Sequence, residues 1–370
     1  MVSMRQCPRC LNTDEKYFYK GSKGVYCRKC VGYGRVLLDQ KADQVREYEI
    51  KEPDASYTLN FELTEEQKQL SETLASLSQK ENVLVYAVTG AGKTELVMES
   101  IKQALEKRQR VGIAIPRRQV VIEIGERMQK AFANLKVVYV CGGHTEETEG
   151  DLIICTTHQL YRYSNYFDLL ILDEPDAFPY KGNAVLQGIA ETSCKGHMIA
   201  LSATPDETLR NFTTLTLFQR PHHHPLVVPK VVYIPEWGQI IFLKSYIKKH
   251  SNVLIFVPSR QMASYYSKKL STPCFTSETS EKERIIKEFR EGKISHLVTT
   301  TVLERGVTFR NVQVIIANAD HDVFDKASII QIAGRVGRDP DYPTGDCILL
   351  CQRRKQSITD AVQEIIQMNA

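Results

Sequence analysis

The chain has 370 residues, 42% of them hydrophobic and 25% charged, with a net charge of +4. That is the balance of an ordinary soluble globular protein of two or three domains. It excludes a membrane-spanning chain, because no apolar run approaches the roughly 20 residues that a bilayer requires; the opening MVSMRQCPRC also lacks the apolar core of a secretory signal, so a cytoplasmic protein is expected.

Charge is unevenly placed. Residues 1–36 hold eight Lys and Arg against Asp14 and Glu15, an excess of +6 that leaves the remainder near −2. The same segment carries Cys7, Cys10, Cys27 and Cys30 as two C-x2-C pairs with 16 residues between them. It has little apolar periodicity and needs a staple in place of a core. Four thiolates in two knuckles suit tetrahedral Zn²⁺ with every ligand position filled, which is a structural site. Counted with zinc and four thiolates, the segment stays near about +4. Interleaved Tyr17, Phe18, Tyr19, Tyr26 and Tyr33 either form the small core of this module or offer stacking faces to nucleic-acid bases. The other six cysteines are isolated, several inside apolar runs, and read as small core residues in a reducing compartment.

Residues 37–58 are charged and polar and read as a connector. From there, β-branched runs alternate with amphipathic stretches. The runs NVLVYAVTG, RVGIAIP, LKVVYVCGG, DLIICTTH, FDLLILDE and HMIALSAT predict strands; TELVMESIKQALEKR and RRQVVIEIGERMQKAF predict helices. Near-continuous apolar strands in this alternation are βα units of a parallel sheet. Residues 211–234, with prolines at 221, 225 and 229, break the pattern and read as a domain connection. A second series follows in SNVLIFVPS, PCFTS, SHLVTTT, VQVIIANAD and DCILLC, with helices expected across ASYYSKKL, EKERIIKEFREG, ASIIQIAGRVGR and SITDAVQEIIQM. The expected fold class is α/β: two tandem parallel-sheet lobes, 59–220 and 221–370, behind a four-cysteine module.

The chemistry begins at AVTGAGKTEL, where Gly90, Gly92, Lys93 and Thr94 follow a strand and open a helix. That is the context of a phosphate-binding loop. The glycines admit backbone N–H groups to phosphate oxygens, Lys93 reaches the β- and γ-phosphates, and Thr94 holds Mg²⁺. Ala87 stands where the pattern usually has its first glycine, so a plain glycine-rich turn is the competing reading. FDLLILDE delivers Asp173 and Glu174 to the C-terminal end of a strand, where ligands bind in open α/β sheets. Asp173 positions Mg²⁺ and Glu174 polarises the attacking water as general base. Pro175 biases Glu174 away from helical geometry and shapes the turn that presents it. Arg335 and Arg338 in QIAGRVGR, three apart, share a helical face if helical, and their guanidinium forks suit phosphate oxygens. With these arginines in the second lobe, ATP would bind in a cleft between lobes and its hydrolysis would change their separation. His222 to His224 read as a loop, because adjacent histidines between prolines point apart. His144 reads as a loop residue, and Arg353, Arg354 and Lys355 as solvated charge.

The ordered set AVTGAGKTE, DEPD, SAT (Ser202, Ala203, Thr204) and QIAGRVGR, spread over about residues 60–340, resembles the superfamily 2 helicases and translocases. The resemblance implies RecA-like lobes. It implies that Gln67 reads adenine and that Thr89, Gly90, Ala91, Gly92, Lys93, Thr94 and Gly306 hold the nucleotide. It implies that Arg117 in IPRR, Thr156 and Thr157 in TTHQL, and Thr300 in TTTVLERGVTF contact the nucleic-acid backbone, and that Asp176 couples toward the arginine-bearing lobe. Ile332 stands where many members have an arginine, so that arginine's roles are not assigned here.

AVTGAGKTE, DEPDAFPY and QIAGRVGR behind a four-cysteine module further resemble the ComFA family of transformable bacteria, whose relatives include the PriA helicases. That resemblance implies an ATPase driven by single-stranded DNA, using ATP, Mg²⁺ and Zn²⁺, peripheral at the inner face of the cell membrane. It implies contact with the channel protein ComEC and with ComFC, in a monomer or homo-oligomer. Two other readings stay open: a PriA-like replication-restart or repair helicase, and a zinc-ribbon adaptor whose nucleotide site is only a switch. Strand displacement separates the first; stimulation of ATPase by DNA separates the second.

Overall fold

In the computed structural model, residues 5–40, 48–49, 54–304 and 307–370 are described. Gly306 and the middle of the expected connector lie outside them. The chain divides into two compact units: one runs up to Ala87 and resumes over Gly92–Leu217, and the other comprises Val88–Ala91 and Phe218–Ala370.

The N-terminal module is an antiparallel hairpin of β1 (Phe18–Gly21) and β2 (Gly24–Cys27), with Phe18 opposite Cys27. A two-stranded hairpin alone is marginal in water, and this one is fastened at several points. Leu37 bridges to Tyr26, and the Leu38 N–H donates to the Val25 carbonyl. The four cysteines and Val36 share one apolar core with Tyr163, Tyr166, Phe167, Leu186 and Ile189 of the first unit. The module's cysteine core is thus continuous with that of the sheet.

The first unit proper opens with α1 (Glu65–Leu77), started by a capping box in which Thr64 and Gln67 satisfy each other's backbone N–H. Then come β3 (Val83–Ala87), α2 (Lys93–Leu96), α3 (Met98–Glu106), β4 (Val111–Ile115), α4 (Arg118–Ala131), β5 (Val137–Val140) and β6 (Leu152–Thr156). They are followed by β7 (Phe167–Asp173), α5 (Ala184–Ser193), β8 (Cys194–Ser202) and β9 (Thr213–Leu217). Seven strands form a parallel sheet in the order β5-β6-β4-β7-β8-β3-β9. The helix expected across TELVMESIKQALEKR is interrupted at Val97.

The second unit holds β10 (Lys230–Tyr233), α6 (Glu236–Ile247), β11 (Val253–Phe256), α7 (Arg260–Leu270), β12 (Cys274–Phe275) and α8 (Lys282–Arg290). It continues with β13 (His296–Thr299), β14 (Gln313–Ile316), α9 (Lys326–Ala333), β15 (Cys347–Cys351) and α10 (Gln356–Met368). Its six parallel strands run β10-β15-β14-β11-β13-β12. Among the described residues, no helix is long and apolar enough to cross a membrane.

Two expectations need correction. Residues 211–234 are not only a connection, because they contain β9 and β10. Both are edge strands, β9 with alternating exposure and β10 with no fully buried residue, so neither shows the continuous apolar run of a buried strand. The helix expected across ASIIQIAGRVGR ends at Ala333, so Arg335 and Arg338 do not share a helical face. Gly337 sits at φ +64, and a Cβ there would lie 2.2 Å from the Pro343 carbonyl oxygen. Only glycine fits that left-handed position against backbone.

Candidate active site

The cysteine centre tests most directly. The four Sγ atoms lie within 4.8 Å of one another, and all four residues are buried. Cys7 and Cys30 are 3.7 Å apart at sulfur, and Cys10 and Cys27 are 3.8 Å apart. Tetrahedral Zn²⁺ with Zn–S near 2.3 Å requires S···S of about 3.8 Å. Crowding also splits the thiols. Hydrogen bonds from Cys10 and Cys30 hold Cys7 far below the usual thiol range, while Cys10, Cys7 and burial push Cys30 up. A divalent cation lets all four ionise together. The donor set fits zinc, and it is the sole such cluster of His, Cys, Asp and Glu among the described residues.

The module is seated on α5 and on the turn at Thr157–Arg162. Thr192 donates to the Arg9 carbonyl at 2.7 Å. The buried Arg9 guanidinium donates to the carbonyls of Tyr33 and Gly34 and lies 5.9 Å from the Tyr161 ring centroid. Phe18 and Tyr33 pack against the shared core. Tyr17, Tyr19 and Tyr26 carry cations instead: Lys16 and Lys29 over Tyr17, Arg28 over Tyr19, Arg35 over Tyr26. The aromatics thus divide between core and surface.

The nucleotide-type residues of the first unit converge on one edge of its sheet, the C-terminal ends of parallel strands. Gly92, Lys93 and Thr94 follow β3; Arg117 follows β4; Thr156 and Thr157 end β6; Asp173 to Asp176 end β7; Ser202 to Thr204 end β8. Gly92 is left-handed at φ +82, and a Cβ there would lie 2.7 Å from the Gln67 Nε2. Such a cradle admits backbone to a phosphate and no side chain. Lys93 Nζ donates to the Ala87 carbonyl at 2.9 Å. Gln67 is buried, with its Oε1 accepting from the Thr64 N–H.

Glu174 sits at φ +53. Restriction by Pro175 predicts an extended residue, and the left-handed region is the alternative that the chain takes. It is held there by Glu174 N–H donating to the Leu201 carbonyl and by Ala177 N–H donating to the Glu174 carbonyl, each at 2.9 Å. Asp176 is 3% exposed and accepts from Ser202 Oγ at 2.7 Å and Thr204 Oγ1 at 2.6 Å. The DEPD and SAT motifs are thereby one hydrogen-bonded unit. Thr156 and Thr157 are buried and Arg117 is half-buried.

In the second unit, Thr300 follows β13 and is half-buried. Arg335 is 4% exposed and donates to the Val307 carbonyl, while Arg338 is half-buried. Two features escaped the sequence reading. Glu95, 2% exposed, pairs with Arg127 of α4 and would contact a Cβ on Gly92. Arg220 is fully buried against the turn that carries Arg335 and Arg338. Neither lies in a recognisable motif except that Glu95 follows GKT.

Comparison with known proteins agrees with this geometry. The DEAD/DEAH box helicase family matches residues 64–212, and the helicase conserved C-terminal domain matches 238–340. Competence protein ComFA of Bacillus subtilis (strain 168) is 33% identical, over 98% of this chain and 85% of its own. Competence protein ComFA of Streptococcus pneumoniae (strain ATCC BAA-255 / R6) is 34% identical, over 98% and 90%. The chain belongs to the ComFA family. Within that family it carries superfamily 2 helicase ATPase domains, which imply ATP and Mg²⁺ as cofactors. S. cerevisiae Dbp5 bound to RNA and ADP BeF3 shares the fold, with a TM-score of 0.62 at 18% identity over 82% of this chain and 87% of that one.

Bound MgATP would supply the reactive phosphoanhydride and the charge that organises it. The chain's own residues supply a glycine cradle with Lys93 and Thr94 beside it, and two carboxylates at the end of β7 on the same sheet edge.

Proposed function

We propose that this chain is an ATPase stimulated by single-stranded DNA that translocates DNA during import in natural transformation. Lys93 binds the β- and γ-phosphates, Thr94 and Asp173 hold Mg²⁺, Glu174 activates water, and Gln67 reads the base. Arg335 and Arg338 stabilise the charge that develops on the transferred phosphoryl. Arg117, Thr156, Thr157 and Thr300 track the phosphate backbone; the two buried threonines do so through main-chain N–H groups. Zn²⁺ on Cys7, Cys10, Cys27 and Cys30 is structural. ComFC and ComEC are the expected partners, at the inner face of the membrane. What carries this reading is the convergence of Lys93, Asp173, Glu174 and the Asp176–Ser202–Thr204 unit on one sheet edge, in a chain of the ComFA family.

The deciding experiment measures ATPase activity with single-stranded DNA, duplex DNA and RNA over a range of salt. Single-stranded DNA should stimulate most, and stimulation should fall as salt rises, because phosphate contacts release counterions. Turnover indifferent to every nucleic acid would overturn the motor reading in favour of a nucleotide switch. For import, cells carrying Glu174→Gln should bind labelled DNA but fail to internalise it; parental internalisation would overturn that role.

A further inference from the structure

Beyond α9 the chain forms a turn, Gly334 to Gly337, whose carbonyl groups have no following helical turn to donate N–H groups to them. Three of these carbonyls face a single guanidinium. Arg220 donates from Nη2 to Gly334 O at 2.7 Å and from Nη1 to Val336 O at 2.9 Å and Gly337 O at 2.7 Å. Its Nε donates to Thr89 O at 3.0 Å, a residue of the same compact unit. His222 adds a second clamp, with Nε2 3.1 Å from the Gly337 carbonyl.

Arg220 is 2% exposed, and no carboxylate among the described residues pairs with it. A buried cation held only by carbonyl dipoles is a poor device for stability; an apolar side chain of similar size commonly does as well or better. What the guanidinium supplies instead is shape, because a rigid fork fixes several acceptors at once. The held residues flank Arg335 and immediately precede Arg338 along the turn. A second like charge is also close: burial and the neighbouring Arg338 pull Arg220 down to about 10, so it stays charged at neutral pH. Arg220 and Arg338 both approach Gly90, whose added Cβ would lie 3.4 Å from Arg220 Nε and 3.3 Å from Arg338 Cγ.

We infer that Arg220 is a positioning residue for ATP hydrolysis: three of its carbonyl contacts fix the turn that aims Arg335 and Arg338, and the fourth anchors the guanidinium at Thr89. This rests on the proposed charge-stabilising role of those two arginines. It assigns a mechanical task to the segment that follows β9, which sequence reading treated as a plain connection. Arg220 acts through the turn and need not touch the nucleotide.

The test uses the full chain with Arg220→Lys, Arg220→Ala, Arg335→Ala and Arg338→Ala. Measured are kcat and KM for ATP with single-stranded DNA, and the melting temperature. Lysine keeps charge and bulk but lacks the fork. Arg220→Lys should therefore melt close to the parent and keep its KM, while kcat falls roughly 10- to 100-fold, the scale of a misplaced catalytic group. Free guanidinium ion should restore part of the turnover of Arg220→Ala and none of that of Arg338→Ala. Parental kcat in Arg220→Lys, alongside a loss in Arg338→Ala, overturns the positioning role and leaves the arginine reading standing. Loss of melting temperature and activity in proportion, without guanidinium rescue, also overturns it. Parental kcat in both Arg335→Ala and Arg338→Ala overturns the arginine reading and this inference with it.

Discussion

A Cβ placed on Gly188 of α5 would lie 2.3 Å from the carbonyl oxygen of Cys10 and 2.6 Å from its carbonyl carbon. Both atoms are backbone, so neither can swing aside. The knuckle that carries Cys7 and Cys10 therefore rests directly on a helix of the first unit, and the absence of a side chain at 188 is what permits it. In an open mid-helix position, Gly→Ala stabilises by about 1 kcal/mol through helix propensity. Here the clash should reverse the sign: overpacking costs about 1–3 kcal/mol, and Gly188→Val should lose more than Gly188→Ala. The check is thermal denaturation with zinc content measured in parallel. A melting temperature that rises in Gly188→Ala would show that the contact is not made.

Zinc removal should reach beyond the module for the same reason. In an independent finger, chelation unfolds only the finger. Here Cys7, Cys10, Cys27 and Cys30 share a core with Tyr163, Phe167 and Ile189, so a chelator should lower the melting temperature of the first unit as well. One Zn²⁺ per chain is expected, and Cys27→Ser with Cys30→Ser should abolish it. Binding needs thiolates, so zinc should be released as pH falls and protons compete for sulfur. Metal analysis across a pH series reads this directly; zinc retained by the double variant would overturn the ligand set.

How much of this was legible in the sequence follows from what each element buries. β3, β4, β6, β7 and β11 are covered on both faces and announce themselves as apolar runs. β9 and β10 lie at sheet edges and are largely not buried, and their Thr- and Pro-rich surroundings resembled a linker. The placement of Lys93, Thr94, Asp173 and Glu174 at strand ends was legible because each follows closely on an apolar strand run. Arg220 was not, because a guanidinium that binds only backbone carbonyls imposes no residue type on its partners. The helical reading of Arg335 and Arg338 failed at two glycines: Gly334 caps α9, and Gly337 is left-handed.

His222 offers a pH test of the segment that follows β9. Its Nδ1 accepts from the His224 N–H at 3.2 Å, so Nε2 carries the proton shared with the Gly337 carbonyl, and the neutral ring satisfies both contacts. Burial, and then the charge of Arg220, hold its pKa below the ordinary 6.5. A histidine with a depressed folded pKa binds fewer protons folded than unfolded, so its contribution is intact above about pH 6.5 and is lost as pH falls toward the folded value. The melting temperature should therefore decline on acidification below pH 6.5, and more shallowly in His222→Gln, which keeps a donor for Gly337 but cannot titrate. Equal slopes in the two proteins would rule out His222 as the titrating group.

Glu174 combines a proposed role as general base with a left-handed backbone conformation, and substitutions separate the two. At φ +53 a glutamate is strained by about 1–2 kcal/mol relative to the ordinary regions. Glu174→Gln keeps that strain and the side-chain size but removes the base. It should fold and bind ATP like the parent while hydrolysis falls by about 10²–10⁴-fold, the usual contribution of a general base. Glu174→Gly removes both the base and the strain, so it should be equally inactive and more stable by about 1 kcal/mol, because glycine enters this region freely. Lys93→Ala differs from both, since it should fold normally but lose affinity for the triphosphate as well as turnover. Steady-state ATPase, equilibrium binding of a fluorescent ATP analogue and thermal melting, applied to all three variants, test the assignment together. Normal turnover in a folded Glu174→Gln protein would remove Glu174 from the role of base. A destabilised Glu174→Gly would show that the carboxylate, and not the backbone, decides the energy of this turn.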